Sequence, residues 1–275
     1  MKIRLAQVTT SRDPKENLDI VRDAVRSAAD AGARLCVLPE ATMRRFGGSI
    51  VDVAEPLDGP WATAVRAAAD EAGITVVAGM FTPAADQGAD ESDESSAAER
   101  VRNTLLITGG GVEASYDKIH LFDAFGFAES DTVAPGSDPV VVDVDGVGVG
   151  FATCYDIRFP GLFQTLADRG AQLIVVPASW GRGPGKVDQW TLLARARALD
   201  STTFVAACGQ ADPAASGIEI GGTAPVGIGH SMVVSPTGEI LDELTDAPGE
   251  LTIDLDVTDL EAVRRNLPVL ANRVF

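Results

Sequence analysis

The chain has 275 residues, 45% of them hydrophobic, and carries 22 Lys and Arg against 40 Asp and Glu for a formal net charge of −18. Such a length and apolar share support one large globular domain, and the acidic balance argues against a nucleic-acid partner. No run approaches the roughly 20 apolar residues of a membrane helix, the opening Met1-Lys2-Ile3-Arg4-Leu5-Ala6-Gln7-Val8 enters a strand pattern without a leader layout, and the three cysteines and two histidines form neither a disulfide framework nor a zinc cluster. The expectation is a cytoplasmic protein with no membrane association, no metal and no cofactor.

In chain order, Ile3 to Val8 has strand length and composition, and Asp13-Pro14 supplies an N-cap and a proline for the first helical turn. Leu18, Val21, Val25, Ala28 and Ala29 keep helical spacing up to Gly32. Ala33 to Leu38 is a buried strand ending at Pro39-Glu40; Pro60 opens a second helix that runs to Gly73, and Ile74 to Met80 is again a strand. The stretch from Asp86 to Glu99 is rich in acids and serines and reads as a solvated loop insertion. Thr104 to Thr108 and Gly111 to Tyr116 flank a glycine turn as a hairpin. Val140 to Gly150 is then an apolar, glycine-rich run, expected as one buried strand that delivers Cys154 into the polar bend Tyr155-Asp156-Ile157-Arg158.

The plan repeats. Asp30 to Pro39 and Asp168 to Pro177 are identical at six of ten positions, and Trp61, Arg66, Ala67, Ala69 and Val76 have counterparts in Trp190, Arg195, Ala196, Ala198 and Val205. The hairpin Thr104 to Ala114 corresponds in pattern to Ser231 to Leu241, with Gly111 opposite Gly238. Three matches in order imply two similar β-α-β-α-β-β halves. Alanine-rich helices need close sheets, and strands that are apolar without strict alternation need burial on both faces. A single domain built as a four-layer α-β-β-α sandwich meets both needs, with strand ends of the two halves opening at one edge.

That edge then carries Glu40 and Cys154. A carboxylate beside a low-dielectric layer is raised toward neutrality and becomes a usable base, although a glutamate standing alone at a loop start also suits plain solvation. Lys118, just past the hairpin in an apolar context, is able to meet negative charge on a reacting oxygen. His120 is read as a hydrogen-bonded structural residue rather than a partner of Cys154. Cys36 and Cys208 are expected to be buried and inert.

Taken together, Leu38-Pro39-Glu40, Tyr116 to Asp123, Cys154 to Pro160, Gly229 to Gly238 and Arg265 to Val269 resemble the nitrilase superfamily of carbon–nitrogen hydrolases over nearly the whole chain. That resemblance implies the same four-layer fold, with Glu40 as general base, Lys118 as oxyanion stabiliser, Cys154 as nucleophile, Glu129 positioning substrate and lysine, and the backbone N–H of Tyr155 assisting the oxyanion. It also implies a homodimer or higher homo-oligomer, for which the segment from Asn266 to Phe275 is a candidate arm.

Within that superfamily, Cys154-Tyr155-Asp156-Ile157-Arg158-Phe159-Pro160 and Lys118-Ile119-His120-Leu121-Phe122-Asp123 look like the branch of ω-amidase and deaminated glutathione amidase. The implied reaction is hydrolysis of the ω-amide of a small carboxylic acid through a cysteine thioester. The alternatives are a carbamoyl-amide hydrolase, a nitrilase, or a silent scaffold. Arg158 either binds the substrate carboxylate or makes a structural salt bridge with Asp156 or another nearby acid, and Trp180 either lines the pocket or belongs to the core. Gly161, where the branch commonly has glutamate, and Pro184 to Trp190 depart from the branch pattern.

Overall fold

The computed structural model describes residues 1–84, 100–124, 126–222 and 224–274; the acidic insertion at 86–99 lies outside them. Strand β1 (Lys2–Gln7) leads into α1 (Pro14–Asp30), β2 (Leu35–Val37), α2 (Pro60–Ala72), β3 (Thr75–Pro83), β4 (Val101–Gly109) and β5 (Val112–Asp117). A small hairpin, β6 (Asp123–Ala124) and β7 (Phe127–Ala128), precedes β8 (Val141–Val144) and β9 (Val147–Phe151). Then follow α3 (Pro160–Asp168), β10 (Leu173–Ala178), α4 (Lys186–Ser201), β11 (Phe204–Gly209), β12 (Met232–Val234), β13 (Ile240–Glu243), β14 (Gly249–Asp254) and α5 (Leu260–Asn266).

Local chemistry sets the helix ends. The Asp13 carboxylate accepts the Lys15 N–H at 2.9 Å, and proline at the first helical position sacrifices no intrahelical bond. Gly73 closes α2 with φ 66°, a left-handed conformation that costs glycine little.

Two six-stranded sheets result, ordered β14-β1-β2-β3-β4-β5 and β13-β12-β11-β10-β9-β8. Each half runs β-α-β-α-β-β-β, one strand more than the sequence expectation, and each sheet gains an outer antiparallel strand beside β1 or β9. The expected single strand from Val140 to Gly150 is in fact the hairpin β8–β9. Asp145 and Gly146 at its tip both have positive φ, 53° and 81°. That conformation is what a tight two-residue hairpin with an Asp-Gly turn requires, and it reverses the chain where hydropathy alone reads continuity.

Alternation along the strands separates the layers. Ile3, Leu5, Leu35, Val37, Leu105 and Ile107 of one sheet meet Val149, Phe151, Leu173, Val175 and Ala206 of the other in the central core. The intervening Ala6, Cys36, Val76 and Leu106 pack under Val21, Val25, Trp61 and Val65 of α1 and α2. Ile174, Val176, Val205 and Ala207 pack under Leu162, Phe163, Trp190 and Ala194 of α3 and α4. Each fully buried Leu, Ile or Phe contributes about 1.5–3 kcal/mol, whereas an exposed ion pair contributes about 1 kcal/mol or less, so apolar burial holds the sandwich. No helix among the described residues is long and apolar enough to cross a membrane.

The parallel strands β1, β2 and β3 and their counterparts β9, β10 and β11 end at one edge. Among the hydrogen bonds that cross between the sheets there, Ser179 N–H, just after β10, donates to Glu40 Oε2 at 2.8 Å, and Gln210 Nε2, just after β11, donates to the Glu40 carbonyl at 3.1 Å.

Candidate active site

At this edge a cavity of about 560 Å³ is lined by Glu40, Lys118, Glu129, Cys154, Tyr155, Arg158 and Trp180 among others, so all seven sequence-selected residues reach one space. Cys154 sits where β9 breaks into a short 3-10 helix, Cys154–Arg158, and has φ 48°. A left-handed backbone on a residue with a side chain costs on the order of 1–3 kcal/mol, and here a dense network offsets it. Asp156, fully buried, accepts Thr153 N–H at 2.8 Å, Tyr116 O–H at 2.7 Å, His120 N–H at 2.9 Å and His120 Nδ1 at 2.7 Å. One carboxylate therefore ties the turn that bears Cys154 to the segment that bears Lys118. Cys154 and Tyr155 open the 3-10 helix, where backbone N–H groups have no intrahelical acceptor.

Glu40 follows β2, and the backbone at Ala41 turns with φ 57° against Gly79 of β3. A Cβ on Gly79 would stand 2.5 Å from Ala41 N and 2.9 Å from Glu40 Cα, so the glycine permits the carboxylate's position. Lys118 Nζ lies 3.0 Å from Glu40 Oε1 and 3.0 and 2.8 Å from the two oxygens of Glu129. Phe122 N–H donates to Glu129 Oε2 at 2.7 Å. Glu40, Lys118 and Glu129 are 1%, 2% and 4% exposed, so these charges interact largely outside solvent screening.

Burial pushes the Cys154 thiol well above its ordinary value, the Glu40 charge pushes it further, and Lys118 offsets only part of this. Burial works against the Lys118 ammonium, but Glu40 and Glu129 outweigh it and hold the amine well above its usual range. Both shifts act in the direction that keeps the thiol neutral and the amine charged.

The family model for carbon-nitrogen hydrolase matches residues 2–265. The chain belongs to the carbon–nitrogen hydrolase family. A hydrolase of Mycobacterium tuberculosis (strain ATCC 25618 / H37Rv) is 54% identical over 279 residues, covering 99% of this chain and 95% of the relative. The deaminated glutathione amidase of Escherichia coli O157:H7 is 31% identical over 280 residues, covering 100% of this chain and 98% of the relative. A solved structure of an amidase variant from Nesterenkonia sp. AN1, showing covalent addition of the acetamide moiety of fluoroacetamide at the active-site cysteine, aligns with TM-score 0.76 at 29% identity, covering 97% of this chain and 96% of that one. This protein is accordingly a hydrolase of C–N bonds, with the amide as the bond type its relatives support.

In this carbon–nitrogen hydrolase the ring of His120 lies on Phe159, with centroids 3.7 Å apart and planes 7° apart, and its Nδ1 is taken by Asp156. Arg158 makes no salt bridge with Asp156, whose oxygens are occupied by the four donors above. Its guanidinium instead lies 5.2 Å from the Trp180 ring centre and 5.8 Å from that of Tyr155, and its Nη2 donates to Gln189 Oε1 at 3.0 Å. Trp180 is both 5% exposed and part of the cavity wall, so its two sequence readings hold together. Cys36 and Cys208 are fully buried, away from the cavity lining.

Sequence reasoning missed Asn103, whose Nδ2 donates to Glu40 Oε1 at 2.8 Å and to Glu129 Oε1 at 3.2 Å. The available signal was parity: Asn103 continues the inward row of Leu105 and Ile107 on β4, one residue before the predicted strand start. Among the described residues no group of three or more His, Cys, Asp or Glu is arranged to hold a metal ion.

Proposed function

We propose that this protein hydrolyses the ω-amide of a small carboxylic acid to the diacid and ammonia through a thioester on Cys154. The observation that carries this reading is one cavity lined by two kinds of group. Glu40, Lys118, Glu129 and Cys154 line it as a buried cluster, and Arg158, which makes no ion pair among the described residues, stands in the same wall. The amidase relatives support the same reading.

Glu40 takes the Cys154 proton as sulfur attacks the amide carbon, and the charge that forms on oxygen is met by Lys118 and the backbone N–H of Tyr155. Protonated Glu40 returns that proton to the nitrogen, the C–N bond breaks and ammonia leaves. A water then attacks the thioester, Glu40 takes its proton, the C–S bond breaks, and the proton goes to sulfur while the acid departs. Glu129 holds Lys118 by two contacts in the resting site. The Arg158 fork, flattened between Tyr155 and Trp180, is shaped to receive the distal carboxylate of the substrate.

Ammonia release from a panel of ω-amides such as succinamate, neutral amides, carbamoyl amino acids and nitriles tests the substrate class. The expected result is turnover of ω-amides first, with an acyl adduct on Cys154 visible by mass spectrometry after acid quench. Preferred turnover of carbamoyl compounds or nitriles would move the assignment within the family. No turnover of any compound, together with Cys154 inert to iodoacetamide, would overturn it. Pairing of two copies belongs to this reading as well. Leu192, 66% exposed, and Leu199, 39% exposed, share one face of α4 and support it, and light scattering of Leu192→Glu against wild type measures it.

A further inference from the structure

Asn103 is 1% exposed and sits at the end of β4 where the two sheets part. Its two amide hydrogens are both committed, one to Glu40 Oε1 and one to Glu129 Oε1, the same two oxygens that Lys118 Nζ contacts at 3.0 Å each. Two like-charged oxygens thus share one charged and one neutral donor. Reversing the amide would set its oxygen against both carboxylates, so the bonding pattern itself fixes which end is nitrogen. Its Oδ1, by contrast, is buried and accepts no hydrogen bond among the described residues. A buried acceptor without a donor destabilises a fold, so Asn103 serves stability poorly and serves the two carboxylates well.

We infer that Asn103 is a positioning residue for this reaction: it holds Glu40 and Glu129 in register while the charge of Lys118 is drawn toward the substrate oxygen. This rests on the roles assigned above. When the amide carbonyl becomes an oxyanion, the ammonium has to share its field with a third negative centre, and its grip on Glu40 and Glu129 weakens. A neutral amide is not drawn to the oxyanion. It continues to donate to Glu40 as that carboxylate gains and loses its proton, and keeps it from turning away from sulfur. The charged and titratable groups that face this point are Glu40 from the loop after β2, Lys118 from the end of β5, Glu129 from the segment after β7 and Cys154 from the turn after β9.

The test uses Asn103→Leu, which removes the donors at similar volume, and Asn103→Asp, which keeps the shape and replaces the donors by a third acid. The profile of kcat/KM against pH is measured with the best ω-amide of the panel, and Cys154→Ala is run alongside. Loss of a hydrogen bond to a charged group corresponds to about tenfold or more in rate, so kcat/KM should fall by at least that factor in both variants. The leucine variant removes a donor from both carboxylates and the aspartate variant sets a third acid beside them, so the acidic limb of the profile should move in both variants. A limb that stays where wild type has it, whatever happens to kcat or melting temperature, overturns the inference, as does kcat/KM within twofold of wild type. If the leucine variant does not fold, the isosteric aspartate carries the measurement. Turnover by Cys154→Ala would overturn the underlying reading instead, whereas an inactive Cys154→Ala beside unshifted Asn103 variants overturns this inference alone.

Discussion

His120 donates Nδ1–H to the buried Asp156 carboxylate across 2.7 Å, so the histidine nearest Cys154 in sequence braces the turn that bears it. Removing it leaves Asp156 one donor short and strips the stacked face of Phe159. His120→Ala should therefore lower stability by about 1–3 kcal/mol, the range for a buried group losing its partner. Its folded fraction should keep kcat within about tenfold of wild type, far from the loss of about a thousandfold or more that removal of a general base produces. Thermal melts combined with active-site titration check this, and a loss of chemistry at unchanged melting temperature would reinstate a Cys154–His120 pair.

Arg158 tests the proposed recognition of a substrate carboxylate. Arg158→Gln should raise KM for succinamate about tenfold or more, the value of a charge-assisted bond, while leaving KM for butyramide within about twofold. Equal effects on both substrates, in parallel steady-state assays, would mean that the guanidinium only braces Trp180 and Tyr155.

Burial and Glu40 raise the Cys154 thiol, so its alkylation without substrate should be slow at neutral pH and climb steadily on the alkaline side, where the thiolate appears. Cys36, pushed up to about 12 by burial, and Cys208, raised by burial as well, have no cavity access and should label only on unfolding. Peptide mapping after iodoacetamide treatment over a pH series measures all three. A plateau of Cys154 labelling near neutrality would show a thiolate already present in the resting enzyme.

Gly79 has no room for a methyl group against Glu40 and Ala41. Gly79→Ala should cost about 1–3 kcal/mol through overpacking and lower the melting temperature by several degrees. Because the clash falls on the backbone of Glu40 itself, the base proposed above, kcat should drop by about a hundredfold in protein that is still folded. Calorimetry together with ammonia release on the same samples reads both quantities, and full activity in the variant would show that Glu40 tolerates the shift.

Much of the fold was legible from short-range patterns. Asp13-Pro14, Pro60 and Gly73 marked helix ends because capping and φ restriction act within one turn. The internal repeat pointed to two sheets with strand ends at one edge, where Glu40 and Cys154 now stand. The Asp145-Gly146 turn was equally local, yet the surrounding valines concealed it because a hairpin and a single buried strand share the same apolar run.

The sequence by itself determined the family and singled out Glu40, Lys118, Glu129 and Cys154 as candidates, because side-chain chemistry and motif order are written along the chain. Only the tertiary structure decided what each group touches. Asn103 reaches Glu40 across 63 residues, Lys118 reaches it across 78, and Ser179 N–H reaches it across 139. These contacts exist because two sheets bury their inner faces against each other and part at one edge, a long-range consequence of apolar packing that no local pattern encodes. The same packing committed His120 to Asp156 and left Arg158 on aromatic rings instead of on Asp156.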